Sequence, residues 1–281
     1  MSAWRGTWIN LLAFVLANTL LAAPQHGVVK ETYGGREVIV FVPSKLPARG
    51  ARALVVVLHG GMGNASRIEN GQSEHPLNMD EAAEKYGFVV AYLNGSKAAR
   101  AFSEEQKAWN AGGGCCGLPA RENVDDVGYI RDTVQLLGEK YGIDPKRVFG
   151  LGHSNGALMT QRVVCEAGIY AAAVPISGPL NLTVTRCPAA AGRRILAIHG
   201  ADDQNVPVAG GYGSKGISNA HFESEEHSRQ VFTASEAAYT ILIVPNADHR
   251  PEHIEEQLQR TEHVTIAEKA AQFFGLTKPA N

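Results

Sequence analysis

The apolar positions of the chain follow two patterns. Leu54–Leu58, Gly87–Leu93, Ala172–Ser177, Ile195–His199 and Tyr239–Val244 are short, nearly unbroken apolar runs. All five read as strands, and Leu54–Leu58 and Gly87–Leu93 as strands buried on both faces of a sheet. Asp125–Lys140 instead places Val127, Ile130, Val134 and Leu137 three or four residues apart, the spacing of an amphipathic helix. Met79–Tyr86 also reads as a helix. So does the segment after Glu262, with Ala267, Ala270, Ala271 and Phe274 as its buried side. Val28–Tyr33 and Arg36–Pro43 flank Gly34-Gly35 and predict an opening hairpin. Asn94–Leu118 reads as one long loop. Strands alternating with helices predict an α/β architecture, a mostly parallel central sheet with helices on both faces. In such a sheet ligands bind beyond the carboxyl ends of the strands, so the residues directly after each strand are the informative ones.

The N-terminus departs from this pattern. Arg5 precedes the apolar stretch Leu11–Ala17, then Leu20–Ala23 and Pro24. A basic region, an apolar core and small residues before a proline predict a secretory signal over residues 1–23. The apolar part is short for a membrane span and is interrupted by Asn18 and Thr19. Residues 24–281 are expected to form one domain, in a secreted or periplasmic protein with no membrane association after cleavage. The chain of 281 residues is 44% hydrophobic, enough for a large core. Its net charge of −2 offers no basic surface for nucleic acid. Export also makes the four cysteines candidates for disulfides, with three possible connectivities. Cys165 lies near the end of one expected helix and Cys187 just before an expected strand. In a parallel sheet these ends lie on the same side, so Cys165–Cys187 is a natural pair. Cys115 and Cys116 are left to pair with each other or to seek other partners.

Chemistry enters at Val148–Thr160. A short apolar run ends at Gly152, Gly-His-Ser-Asn-Gly follows, and an Ala/Leu/Met-rich helical run comes next. Strand, tight turn and helix are the context in which G-x-S-x-G holds a nucleophile, here Ser154. After Leu54–Leu58 stands His59-Gly60-Gly61-Met62. An oxyanion formed by Ser154 needs backbone N–H donors, and Asn155, Gly61 and Met62 are the candidates. His59 reads as a residue that holds this loop. After Ile195–His199 come Asp202 and Asp203, which compete to supply the carboxylate that orients a catalytic histidine. After Tyr239–Val244 comes His249, placed to act as the base. The order Ser154, Asp, His249 is that of the α/β architecture carrying this elbow. Asp125 and Asp126 start the amphipathic helix, and capping or the helix dipole accounts for at least one of them. Trp109, in the long loop, reads either as a substrate contact or as the anchor of that loop, and His153, in the elbow, is a further candidate substrate contact. His249 and His253 could pair on a metal only from one helix face, and Pro251 between them argues against it.

Five segments together resemble the secreted α/β-hydrolases of the polyhydroxybutyrate depolymerase-like and feruloyl esterase-like group, in the neighbourhood of carbohydrate esterase family 1. They are Leu58–Ala65, Trp109–Gly117, Asn123–Ile130, Gly152–Met159 and His199–Pro207. The resemblance implies an α/β-hydrolase fold and a Ser–Asp–His esterase without metal or cofactor, acting on a small or oligomeric ester. The pattern H-G-x-x-D-x-x-V-P at His199–Pro207 assigns the triad carboxylate to Asp203, with Asp202 as the alternative. The resemblance departs at Ala247–Pro251, where many relatives carry Gly-Gly-His followed by Trp and Pro.

Overall fold

The computed structural model describes residues 25–277 except 102, 217 and 219; the predicted signal over residues 1–23 lies outside the described residues. Eight strands form one sheet: β1 (Gly27–Tyr33), β2 (Arg36–Val42), β3 (Arg52–Leu58), β4 (Val89–Leu93), β5 (Ile143–His153), β6 (Ala172–Ile176), β7 (Arg194–Gly200) and β8 (Ala238–Val244). Their spatial order is β1-β2-β4-β3-β5-β6-β7-β8. β2 pairs antiparallel with β1 and β4, and every other neighbouring pair is parallel.

Side chains along a strand point alternately to opposite faces. The unbroken apolar runs therefore feed two cores. Leu54, Val56 and Leu58 of β3 pack on one face with α4 (Asp126–Tyr141) and α5 (Asn155–Glu166). Val55 and Val57 pack on the other with α1 (Ala65–Glu69), α2 (Asp80–Tyr86), α7 (Pro251–Glu262) and α8 (Ile266–Phe274). The buried residues of α4 include Val127, Ile130, Val134 and Leu137, as the period predicts. In α8 the buried residues are Ile266, Ala270, Ala271 and Phe274, whereas Ala267 is half-buried.

Three elements differ from the sequence reading. The long loop carries a two-strand ribbon, Ser96–Lys97 against Lys107–Ala108, and ends in α3 (Gly117–Arg121). α6 (Glu225–Ala234) buries Glu225 and Ser228 alongside Val231 and Phe232, so two polar residues mask its apolar side. α7 buries only Pro251, Ile254 and Leu258 in a charged stretch. Pro251 starts that helix, because the first helical position needs no N–H donor. Cys165 and Cys187 are joined, with Cα atoms 4.6 Å apart. Cys115 and Cys116 are joined to each other.

The parallel strands β3, β5, β7 and β8 all end on one edge of the sheet. The segments that follow them carry His59–Met62, Ser154, Asp203 and His249, so the topology brings the chemistry-bearing residues together.

Candidate active site

Ser154 sits in the turn between β5 and α5 with φ 53° and ψ −122°. That is an unfavourable region for a residue with a side chain, at a cost of ~1–3 kcal/mol held by the surroundings. The surroundings are tight. A Cβ on Gly156 would lie 2.2 Å from the Leu58 carbonyl oxygen, so only glycine lets α5 start this close to β3. The Ser154 N–H donates to the Ile176 carbonyl at 2.9 Å, which fixes the turn against β6.

The Ser154 hydroxyl lies 2.8 Å from His249 Nε2, and His249 Nδ1 lies 2.7 Å from Asp203 Oδ2. Asp203 is the aligned carboxylate; Asp202 is exposed. Asp203 accepts four hydrogen bonds. Its Oδ1 takes the N–H groups of Asn205 and Val206, and its Oδ2 takes His249 and also His199 Nε2 at 3.0 Å. Burial alone would raise the Asp203 pKa, but the bonds from His199 and His249 outweigh it and hold the carboxyl well below the usual range. Burial is the largest influence on His249 and lowers its pKa. Asp203 opposes that shift, and the His153 and His199 charges add to it. The base is therefore neutral at pH 7 and ready to take a proton from Ser154.

Gly61 and Asn155 face each other across the serine. A Cβ built on Gly61 would lie 3.8 Å from Asn155 Cβ. The Asn155 N–H is the first of α5, where no preceding helical carbonyl can accept it. Met62 does not fit the donor role the sequence suggested. Its φ is +70°, and its N–H is committed to the Lys107 carbonyl at 2.7 Å. It supplies cleft wall only.

Of the two roles open to Trp109, the structure shows the loop anchor and not the substrate contact. Trp109 is fully buried and does not reach the cleft. Its Nε1–H donates to the His59 carbonyl at 2.9 Å, and its backbone N–H and C=O pair with the Asn155 side chain at 2.7 and 3.1 Å. It anchors the Cys115-Cys116 loop beneath the site. His59 holds the neighbouring loop: its Nδ1–H donates to the Gly60 carbonyl and its Nε2 accepts the Gly95 N–H. Burial lowers its pKa to about 4, so it stays neutral. His153 lines the cleft but has no ring nitrogen left for a substrate. Nδ1 binds Glu74, and Nε2 donates to the His249 carbonyl at 2.8 Å. Asp125 caps α4 through the Gly128 N–H, while Asp126 bonds Arg36 and the Asn110 N–H and so ties down the Trp109 loop. Asp248 and Arg250 pair with each other on the surface beside His253.

Two groups were missed in the sequence. His199 is fully buried between Asp203 and Glu225, with Nδ1 2.8 Å from Glu225 Oε1. Burial opposes charge on this ring, but the two carboxylates prevail and push its pKa up to about 10. Its signal was available, since His199-Gly200 repeats the His59-Gly60 pattern at another strand end. Glu74 is the second and has no comparable signal, because its partners are far away in sequence. Among the described residues no group of three or more potential ligands is placed to hold a metal.

A mostly parallel sheet in this order, with a serine in the turn after β5, an acid after β7 and a histidine after β8, is the α/β-hydrolase fold. No protein-family model matches the chain. It is 32% identical over 180 residues to a feruloyl esterase B of Piromyces equi, covering 63% of this chain and 31% of that protein. It is 27% identical over 199 residues to a poly(3-hydroxybutyrate) depolymerase of Ralstonia pickettii, covering 66% and 39%. The chain thus spans about a third of the length of these two curated relatives. Among solved structures, a Bacillus cereus carboxylesterase superposes with a TM-score of 0.55 at 14% identity, covering 87% of this chain and 96% of that one.

Proposed function

We propose that this protein is a secreted serine carboxylesterase. Residues 1–23 act as its export signal and 24–281 as one catalytic domain. The observation that carries the reading is the hydrogen-bonded line from Ser154 through His249 to Asp203. Ser154 attacks the ester carbonyl while His249 Nε2 takes its proton. The Gly61 and Asn155 N–H groups stabilise the oxyanion. His249 returns the proton to the leaving alcohol, leaving an acyl-enzyme on Ser154, and water then releases the acid by the same steps. The similarity to feruloyl esterases and a hydroxybutyrate depolymerase supports aryl or hydroxyalkanoate-type esters. Transfer of the acyl group to an alcohol would use the same residues; product analysis with and without an alcohol acceptor separates the two.

One feature of the cleft favours esters that carry a free acid. The cavity beside Ser154 has a volume of about 760 Å³, and Arg67 and Arg121 both line it. Neither guanidinium has a side-chain partner among the described residues, and the one carboxylate on the wall, Glu74, is committed to His153. Short hydroxyalkanoate oligomers end in a carboxylate, whereas methyl ferulate does not. The wild type is expected to hydrolyse p-nitrophenyl butyrate, methyl ferulate and 3-hydroxybutyrate trimer. The double variant Arg67→Ala/Arg121→Ala is expected to raise KM for the trimer by ~10-fold and leave p-nitrophenyl butyrate nearly unchanged. No hydrolysis of any ester would sink the esterase reading. An equal effect on charged and neutral esters would sink the preference for acids.

A further inference from the structure

The reaction as described leaves one buried charged pair without a task. Glu74 lies on no sheet strand; it precedes the single turn His75–Leu77 with φ +50°, left-handed for a residue with a side chain. Its carboxylate accepts the Gly60 N–H at 2.9 and 3.2 Å and binds His153 Nδ1. The oxyanion loop closes around it. A Cβ on Gly60 would lie 2.7 Å from one carboxylate oxygen, and a Cβ on Gly63 3.0 Å from the other. On its far side His153 reaches the His249 carbonyl. The pair therefore touches three segments at once: the loop bearing Gly61, the strand end bearing Ser154 and the loop bearing His249.

The partners also fix the protons. A backbone carbonyl only accepts, so His153 Nε2 carries a hydrogen. Glu74, which takes the Gly60 N–H on both oxygens, is ionised and likewise only accepts, so Nδ1 carries one as well and the ring is an imidazolium. Its centroid lies 5.0 Å from that of the His249 ring. We propose that Glu74–His153 is a positioning pair for the reaction: it locks the oxyanion loop and the His249 loop to the nucleophile turn and sets a fixed positive charge beside the base. This rests on the serine-esterase reading for its consequence, since the charge opposes protonation of His249 and keeps the base free at lower pH.

The surrounding charges are few. His153 faces Glu74, His249 and, at longer range, Glu252 of α7. Glu74 faces His153 and the neutral His59. His249 faces Asp203 and His153, with His199 behind Asp203. Burial opposes charge on both members of the pair, yet their mutual bond prevails: His153 is shifted up and Glu74 down. The two directions agree.

The test is ring-nitrogen NMR on the histidines of the full mature chain, with pH profiles of the same samples. In the wild type His153 is expected to carry both ring protons at pH 8. In Glu74→Gln it becomes neutral at that pH, and the His249 titration moves up by roughly half to one unit. The acid limb of kcat/KM moves with it, because that limb reports the free base. The value of kcat falls ~10-fold or more while KM for a small neutral ester holds, the mark of misplacement rather than lost binding. His153→Gln keeps an amide donor for the His249 carbonyl but no charge, so it is expected to reproduce the shift with a smaller loss of kcat. A neutral His153 in the wild type at pH 8 overturns the proposal whether or not the variants fold, and so does an unmoved His249 titration in Glu74→Gln. An active esterase giving either result has lost the pair alone. A chain inactive on every ester but with the expected NMR shifts has lost the esterase reading and kept the pair.

Discussion

Replacing Ser154 with alanine is expected to remove ester hydrolysis and leave the fold intact. In the proposed reaction the hydroxyl forms the acyl bond, and in the structure it bonds His249 directly. Without it, only binding and the Gly61 and Asn155 donors remain to promote attack by water. Loss of such a nucleophile lowers kcat by ~10⁴-fold or more. The stability change should be small, because one oxygen is lost from a half-buried site and the backbone of the turn is held by the Ile176 bond and the packing of α5. Steady-state rates on p-nitrophenyl butyrate, with circular dichroism as the control, check this. Activity within tenfold of wild type would place the nucleophile elsewhere.

Asp203→Asn carries the second large effect, and the hydrogen bonds say why. Oδ1 of Asp203 accepts two backbone N–H groups, from Asn205 and Val206. An asparagine must put its carbonyl oxygen there, which turns its NH₂ toward His249 Nδ1. His249 then accepts at Nδ1 and carries its proton on Nε2, facing the Ser154 hydroxyl. That tautomer cannot act as the base. The expected loss is ~10⁴-fold in kcat at pH 7, with KM for a small ester little changed. The same NH₂ also faces His199, which loses one of its two carboxylates. His199 is therefore expected to titrate at lower pH in this variant. A kcat within tenfold of wild type would show that Asp203 does not set the tautomer.

Much of this arrangement could be read from the chain. Unbroken apolar runs marked the covered strands β3, β4, β6 and β7, which are buried on both faces, whereas β8, at the sheet edge, carries an equally apolar run but is mostly exposed or half-buried. The five-residue elbow, the two Asp after β7 and His249 after β8 stood where a parallel sheet puts its reactive loops. What escaped depended on backbone angles and on distant partners. Which N–H of His59–Met62 points inward is set by the φ of Met62, and residue types do not report that. Trp109 stood in a loop after a strand, as a cleft residue would, yet its partners are His59 and Asn155 beneath the site. His153 stood next to the nucleophile, as a substrate contact would, but Glu74 and the His249 carbonyl use both its nitrogens. Glu74 itself lies 79 positions from His153, in a segment without periodicity.

The two buried histidines, His153 and His199, push the His249 ring in the same direction. His199 sits behind Asp203 and stabilises its ionised form, which strengthens the hold on His249. It also adds a positive charge that, with His153, discourages protonation of the base. The net shift of His249 is downward, so the acid limb of activity is expected below the ordinary histidine value, and activity falls as pH drops through that lowered value.

Ser154 is expected to be the hydroxyl that reacts as the nucleophile. Incubation of the mature protein with a fluorophosphonate probe, followed by intact-mass measurement and peptide mapping, tests this most directly. A single adduct on Ser154, absent from Ser154→Ala and much slower in Asp203→Asn, is the predicted result. No adduct, or an adduct on another residue that persists in Ser154→Ala, would contradict it.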